Sequence, residues 1–132
     1  MLFHLKILLR LTYRNSVLNR KELKIALKYM RFEPMTEYTV FNEEELLAQI
    51  KRIKQQKYAI SANERYIGVM GISAPINNYV LPAALGIIGP EVRMRPNLTQ
   101  FVEELMTSAA IVSDNVKELF SIYKDVSNNN SE

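Results

Sequence analysis

Two short apolar runs near the middle of the chain constrain its fold more than any other feature. They span Val69–Ile76 and Val80–Ile88, with Asn77-Asn78 between them and a Gly-Pro pair directly after the second run. Short apolar runs bounded by Asn, Gly or Pro are typical of strands, and a polar dipeptide between two of them predicts a hairpin. Neither run alternates between apolar and polar residues, which indicates that both faces are covered. We therefore predict a central antiparallel hairpin at about residues 69–88, inside a sheet with helices on at least one side.

Helical periodicity flanks this hairpin on both sides. Asn42–Lys57 has a capping Asn, acidic residues at its start, basic residues near its end and an apolar stripe, which together predict a helix. The stripe consists of Leu46, Leu47, Ile50 and Ile53. Tyr58–Ile60 is then predicted as a short strand and Ser61–Arg65 as a polar loop. From Pro96, apolar residues recur at spacings of three and four to about Tyr123, which predicts one long amphipathic helix.

The two ends of the chain complete the predicted architecture. Residues 2–13 and 21–29 carry apolar residues at helical spacing, and Asn and Ser residues that can act as caps lie between them. Residues 126–132 hold Ser, Asn and little that is apolar, and are predicted to be a disordered tail. At 132 residues and 48% hydrophobic, the chain supports one domain, placed at residues 1–125. The predicted fold class is α+β, an antiparallel sheet with flanking helices and a long C-terminal helix.

Composition bears on the compartment and on targeting. The chain has no cysteine, which excludes disulfides and cysteine metal sites and fits a reducing interior. Its apolar N-terminal run is interrupted by Lys6 and Arg10 and lacks a small-residue cleavage site. We therefore expect neither a signal peptide nor a membrane span, no membrane partner, and a cytoplasmic protein.

Charge is concentrated at one end of the chain. Residues 1–31 carry eight Lys or Arg against Glu22 alone, a net +7, whereas the remainder carries nine bases and thirteen acids, a net −4. A solvated helix face explains such charge without further function, but a basic end also suits nucleic acid. A helix-turn-helix is disfavoured because a β-rich segment follows the two predicted helices and the first of them is too apolar to lie on phosphates.

Residues able to carry catalysis or bind metal are scarce. His4 is the single histidine, so neither a multi-histidine metal site nor a Ser-His-Asp triad can form. The three consecutive glutamates at Glu43–Glu45 point in different directions on a helix and complement its dipole. The chain has no glycine-rich segment followed by Lys-Ser or Lys-Thr, so no phosphate-binding loop is predicted. We therefore predict no enzyme activity, no metal site and no cofactor.

Several stretches resemble the effector-binding domain of the IclR family of transcription regulators. TVFNEEELLAQIKRIKQQKYAIS, residues 39–61, is similar to that family's Thr, cap, acidic residues and paired leucines before a Gly-Tyr-Ala strand. GVMGISAPI, residues 68–76, resembles its Gly-hydrophobic segment before Ala-Ala-Pro. AALGIIGPEVRMRP, residues 83–96, resembles its Ala-Ala-Leu-Ser-hydrophobic-Ser-Gly-Pro segment with the following Arg and Thr-Pro. Residues 6–9 are similar to its Gly-Lys-hydrophobic-Leu-Leu.

The resemblance implies a GAF-like domain that holds a small effector in a cup beside an antiparallel sheet. Family members carry an N-terminal winged helix that reads DNA, and they act as dimers or tetramers. The resemblance extends neither to the winged helix nor to the first part of the effector domain, so the sequence corresponds to a natural short form or to a fragment. It implies no direct DNA contact by these 132 residues.

The same resemblance assigns the candidate effector pocket. Positions where the family places polar or small pocket residues fall on Ser61, Gly71, Gly86 and Ile88, and Leu5 replaces the family's Gly before Lys. One hydroxyl among these positions leaves few polar donors for a small carboxylate, so the effector is expected to be lost or changed. Gly71 and Gly86 open space for a larger or apolar ligand.

Two hypotheses of different class follow. The first is a ligand-binding and oligomerisation module of an IclR-like regulator that does not bind DNA on its own. Its partners are a small-molecule effector and either a second copy or another regulator chain. The alternative is a nucleic-acid-binding protein that uses the basic residues 1–31.

Overall fold

The computed structural model describes residues 35–39, 43–80 and 83–129, with side chains described except at Glu43 and residues 124–129. The two helices predicted in residues 2–29 and the pocket position Leu5 lie outside these ranges. Among the described residues the order of elements is helix, three strands, a short helical connection and a long helix. This order confirms the predicted α+β class.

The first described helix, α1, spans Glu43–Gln56 and agrees with the predicted Asn42–Lys57 within one residue at each end. Lys57 follows the helix with a left-handed φ of 68°, and its N–H donates to Ile53 O at 2.8 Å. The buried face consists of Leu46, Ile50 and Ile53. Leu47 was predicted to belong to the same stripe, but it is 37% exposed because it follows Leu46 by about 100° around the helix axis.

The sheet contains three antiparallel strands in the order β1-β2-β3. The strands are β1 at Ala59–Ala62, β2 at Val69–Ile76 and β3 at Ala83–Pro90. The β2–β3 hairpin confirms the predicted central hairpin, and β2 has the predicted bounds. Two details of the prediction are wrong. Ser61 and Ala62 extend β1 rather than opening a loop, and β3 begins at Ala83, so that Val80 lies exposed in the connection.

One face of the sheet, which we call the apolar face, forms the main core. It presents Met70, Ile72 and Ala74 of β2, flanked in register by Ile60 and Ala62 on β1 and by Leu85 and Ile87 on β3. The buried side chains of this core are Met70, Ile72, Ala74, Met94, Leu105 and Ala109. The last two belong to the long helix, which therefore lies across β2 and β3 and covers this face.

A short connection links the sheet to that helix. Helix α2 spans Glu91–Met94, a 3₁₀ turn follows at Arg95–Asn97, and helix α3 spans Leu98–Asn129. Pro96 occupies the first turn of the 3₁₀ segment, where its missing N–H costs nothing. Helix α3 continues to Asn129, six residues beyond the predicted end near Tyr123. The backbone of residues 126–129 is therefore helical, and residues 130–132 of the predicted disordered tail lie outside the described ranges.

The hairpin connection is fastened to α3 at Ser113. Asn78 has a φ of 66°, which Asn tolerates, and it turns the chain at the end of β2. The Asn77 N–H donates to Ser113 Oγ at 2.8 Å, while Asn78 Nδ2 donates to Ser113 O at 3.2 Å. Ser113 Oγ itself donates to Ala109 O at 2.7 Å. These three bonds set the level at which the helix passes the tip of the hairpin.

A second polar network closes the opposite end of the sheet. In the β1–β2 loop, Asn63 has a φ of 61° and its Oδ1 accepts from the N–H of Gly68, whose φ of 82° suits glycine. Asn63 Nδ2 donates to Glu91 Oε2 at 2.6 Å. The Glu91 N–H in turn donates to Gly68 O at 2.7 Å. The loop is thereby joined to the start of α2.

The pKa of Glu91 reflects this network. Its carboxylate accepts hydrogen bonds from the Arg95 side chain, through Nε at 2.9 Å and through a terminal nitrogen, and from Asn63. The Arg95 hydrogen bond, followed by that of Asn63, lowers the pKa of Glu91 below its ordinary value. A lowered pKa means that the interaction stabilises the fold above the unfolded-state pKa and is lost as pH falls through the folded-state pKa.

Residues 35–39 add hydrogen bonds to the same loop. Thr36 Oγ1 donates to Asn63 O at 2.6 Å, and Thr39 Oγ1 donates to Glu64 O at 2.6 Å. The segment that precedes α1 is therefore attached to the end of the sheet. Within the described ranges no helix is long and apolar enough to cross a membrane.

The two neighbouring leucines of α1 provide a test of its orientation. Leu46→Ala should lower the free energy of unfolding by about 2–5 kcal/mol, because Leu46 is 0% exposed. Leu47→Ala is the matched control and should cost well under half as much. Chemical denaturation of both variants measures the difference, and equal losses would show that α1 is rotated from the orientation described.

The Glu91 network gives a prediction about titration. Arg95→Met should raise the pKa of Glu91, because it removes the strongest hydrogen bond to the carboxylate. In the wild type, stability gained from Glu91 should disappear as the pH falls through its lowered pKa, and this acid-dependent loss should shrink in the variant. NMR titration of the Glu91 carboxyl carbon measures the shift. Arg93→Met, an exposed residue on the same short helix, should leave that titration unchanged, and an equal shift would refute the assignment.

Candidate functional site

The second face of the sheet, which we call the small-residue face, brings the predicted pocket positions together. The strand register aligns Ser61 with Gly71 and Gly71 with Ile88, so these three residues form one row across the sheet. The next row consists of Ala59, Ser73 and Gly86. All four predicted positions that the structure describes, Ser61, Gly71, Gly86 and Ile88, therefore share one face. They share a face because residues directly opposite each other in antiparallel strands have their side chains on the same side of the sheet.

Ser73 is a member of this face that sequence reasoning missed. It lies at the centre of the second row, between Ala59 and Gly86, and two residues beyond Gly71 on β2. Because side chains alternate between the two faces of a strand, the sequence alone would have placed Ser73 on the same face as Gly71. The strand register, which no sequence pattern showed, places it one row from Ser61. The face therefore carries two hydroxyls rather than the one that the motif positions provide.

Both hydroxyl groups are removed from solvent. Ser61 is 8% exposed and Ser73 is 9% exposed. Within the described ranges, neither side chain forms a hydrogen bond with another residue. A buried hydroxyl without a partner costs roughly 1–3 kcal/mol, so each can gain from a ligand that accepts or donates a hydrogen bond.

The β3 side of the face is more open. Gly86 and Ile88 are exposed, the latter at 55%. A Cβ built on Gly86 would lie 3.3 Å from Ile72 O and 3.7 Å from the Cβ of Ser73. The absence of a side chain at Gly86 therefore keeps the surface next to Ser73 free. Ile88 adds an apolar wall at the end of the first row.

The β1 side of the face is covered by α1. Ile53 of this helix packs with Ala59, the first residue of the second row, and both are buried. The small-residue face is therefore covered at Ala59 and exposed at Gly86 and Ile88.

The chemistry of the face favours binding over reaction. None of the six residues in the two rows is ionisable, so the face offers hydroxyl donors and acceptors, apolar surface and no general acid or base. Among the described residues no group of three His, Asp or Glu is arranged to hold a metal ion. The two rows therefore offer contacts for a ligand and no group for acid–base chemistry.

Comparison with known proteins agrees with this fold. The family model described as "Bacterial transcriptional regulator IclR C-terminal" matches residues 14–114. The "HTH-type transcriptional regulator KdgR" of Dickeya chrysanthemi is 32% identical over 99 residues, which is 73% of this chain and 32% of that protein. The chain thus spans about a third of the length of this curated relative.

Solved structures show the same architecture. The C-terminal domain of the E. coli transcriptional regulator KdgR is 27% identical, with a TM-score of 0.69, covering 84% of this chain and 66% of that one. The inducer-binding domain of the PobR transcription factor from Acinetobacter, solved as a double mutant with 3-hydroxybenzoic acid, is 25% identical, with a TM-score of 0.68 over 82% of this chain and 61% of that one. The IclR of Thermotoga maritima is 25% identical, with a TM-score of 0.69 over 85% and 44%.

The family match covers well over half of the chain and includes both rows of the small-residue face. Its members are transcriptional regulators, a class of proteins without enzyme activity. This chain therefore belongs to the IclR family of bacterial transcriptional regulators and corresponds to the C-terminal, effector-binding part of the family.

Proposed function

We propose that this chain is a ligand-responsive module of an IclR-type regulator and that its ligand binds on the small-residue face. The observation that carries the proposal is the pair of buried hydroxyls at Ser61 and Ser73, which have no hydrogen-bond partner within the described ranges. The similar inducer-binding domain of PobR, which was solved with 3-hydroxybenzoic acid, supports ligand binding by this fold.

The proposed ligand carries little or no charge. A carboxylate is held best by several hydrogen bonds and a cation, and the two rows supply two hydroxyls and no basic side chain. Gly71 and Gly86 leave room where the family places larger or polar side chains, and Ile88 offers apolar contact. We therefore propose a pocket altered from that of relatives that bind small acids, with a preference for an apolar body and one polar group.

A regulatory module acts by coupling its ligand site to a second chain. We propose that these 132 residues associate with a second copy or with another regulator chain, and that they do not contact DNA directly. The family match over residues 14–114 concerns the effector part of the family, which supports the proposal that these residues do not contact DNA directly.

Ligand binding and charge preference can be tested together. Small aromatic acids and the corresponding alcohols, among them 3-hydroxybenzoate and 3-hydroxybenzyl alcohol, form pairs of similar size that differ in charge. We expect the uncharged member of a pair to bind more tightly, measured by thermal shift and isothermal titration calorimetry. Ser73→Ala should weaken binding by about 3–10-fold, the equivalent of one neutral hydrogen bond.

Ser108→Ala is the matched control, because Ser108 is exposed on α3 away from the sheet. It should leave the affinity unchanged. A ligand that binds Ser73→Ala and the wild type equally well would place the binding site elsewhere, and a consistent preference for the acids would refute the proposed charge selectivity.

The alternative of nucleic-acid binding rests on the net +7 of residues 1–31. If those residues bind duplex DNA, the affinity should be measurable at low salt and should fall steeply as salt rises, because counterions are released from the phosphates. We expect no complex with a mixed-sequence duplex in fluorescence anisotropy at 20 mM salt. A salt-sensitive complex in the micromolar range would favour the alternative over the proposed function.

A further inference from the structure

Strand β3 is the outer strand of the sheet. In the order β1-β2-β3 it pairs with β2 on one edge, and among the residues that the structure describes none pairs with its other edge. The side chain of Ile88 is 55% exposed, and Gly86 is exposed as well. The outer edge of β3 is therefore accessible to a further strand.

The register shows which backbone groups of β3 face outwards. The Glu91 N–H donates to Gly68 O at 2.7 Å, so every second pair counted from these two residues exchanges hydrogen bonds between β2 and β3. The β3 members of these pairs are Leu85, Ile87 and Gly89. The N–H and C=O groups of the intervening residues point away from β2. These outward residues are Ala84, Gly86 and Ile88, followed by Pro90, which has no N–H.

This edge lacks the features that usually block edge strands. Proteins protect such edges with charged side chains, prolines and bulges. The chain carries no charged residue from Tyr79 to Pro90, and within β3 the only proline is its last residue. The register between β2 and β3 runs from the Val69–Pro90 pair to the Ile76–Ala83 pair without a bulge. The outward groups of β3 are therefore free to pair with a strand.

The apolar face of β3 specifies part of what that strand must carry. Leu85 and Ile87 pack against the core on this face, but both are only half-buried. In an antiparallel addition they would lie in pairs that do not exchange hydrogen bonds, where opposite side chains come closest. The added strand therefore needs aliphatic residues opposite Leu85 and Ile87.

Gly86 specifies the residue between these two. It lies on the small-residue face, where its missing side chain leaves space next to Ser73. An aromatic side chain on a neighbouring strand can cover a glycine at a sheet edge. The two faces of β3 together fit an uncharged segment in which an aromatic residue stands between two aliphatic ones.

We propose that β3 binds an extended, uncharged segment of a different protein, which adds to the sheet antiparallel to β3. Strand addition draws its affinity from backbone hydrogen bonds and its specificity from alternate side chains. The inference deepens the association with another chain proposed above and rests on it for its biological role. The geometry of the edge is independent of the small-molecule ligand.

A second copy of β3 fits this edge less well than a strand of different sequence. Antiparallel pairing of two β3 strands centred on Gly86 places glycine opposite glycine and leaves the space unfilled. The register that brings Gly86 opposite Ile88 places Pro90 opposite Ala84, where the missing N–H removes a hydrogen bond. A segment with an aromatic residue at its centre meets neither problem.

Synthetic peptides test the pairing with the whole chain. The probe is a capped, fluorescent peptide with the core Thr-Val-Tyr-Val-Thr, and we expect micromolar binding in fluorescence anisotropy. N-methylation of its Tyr and both Thr residues, whose N–H groups would face β3, should weaken binding by at least roughly 100-fold. N-methylation of the two Val residues, whose N–H groups would face solvent, is the matched control and should change the affinity by less than about threefold.

Equal affinities of the two methylated peptides would overturn the proposal. Absence of binding at about 1 mM of the unmodified peptide would overturn it as well.

A proline in β3 tests the same edge from the side of the protein. Ala84→Pro removes an outward N–H and leaves the hydrogen bonds to β2 intact, so circular dichroism should show a folded chain. The peptide should bind this variant roughly 10-fold more weakly than the wild type. Ala84→Ser keeps the N–H and is the matched control. Equal peptide affinities of the two variants would contradict the proposed pairing.

Amide hydrogen exchange shows whether the edge is open in the free protein. The N–H groups of Gly86 and Ile88 should exchange fast without peptide and slowly with it, whereas those of Leu85 and Ile87 should be protected in both states. Slow exchange of Gly86 and Ile88 in the free protein would mean that the chain itself or a second copy already occupies the edge, and it would overturn the proposal.

Ligand titrations separate this inference from the proposed ligand site. Peptide binding by a chain that binds no small molecule would support the strand site and refute the ligand site. Small-molecule binding by a chain that binds no peptide would overturn the strand site alone.

Discussion

Strand β2 is hydrogen-bonded on both edges and buried on both faces, and the rest of the structure depends on this position. One face carries Met70, Ile72 and Ala74 into the core beneath α3. The other carries Gly71 and Ser73. Because side chains alternate along a strand, a shift in register by one residue would exchange these two sets and expose the core. The same register therefore fixes both the hydrophobic core and the candidate ligand site.

Two polar networks hold this register at its ends. At one end the Asn63–Glu91 interaction joins the β1–β2 loop to the start of α2. At the other, Ser113 accepts from Asn77 and sets α3 against the hairpin tip. Hydrogen bonds contribute only about 0.5–1.5 kcal/mol each, whereas the core supplies the larger part of the stability. Their effect is directional: they determine which part of α3 covers the sheet and which part extends beyond it.

Helices α3 and α1 pack on opposite faces of the sheet. The first half of α3 covers the apolar face, whereas the small-residue face is covered at Ala59 and exposed at Gly86 and Ile88. The second half of α3 extends past the hairpin connection. A ligand bound on the small-residue face, as proposed, would lie on the same strands that α3 packs against from the other side.

Sequence alone determined the elements whose signals are local. Capping and charge at the ends of α1 predicted its bounds to within one residue, and the apolar run Val69–Ile76 predicted β2 without error. Local signals predicted the bounds of an element less well where long-range contacts determine those bounds. β3 begins at Ala83 because its pairing with Ile76 of β2 sets its start, and α3 passes its predicted end. The pocket positions Ser61, Gly71, Gly86 and Ile88 came from family resemblance. Only the tertiary structure placed Ser73 among them, because the register between strands determines which side chains share a face.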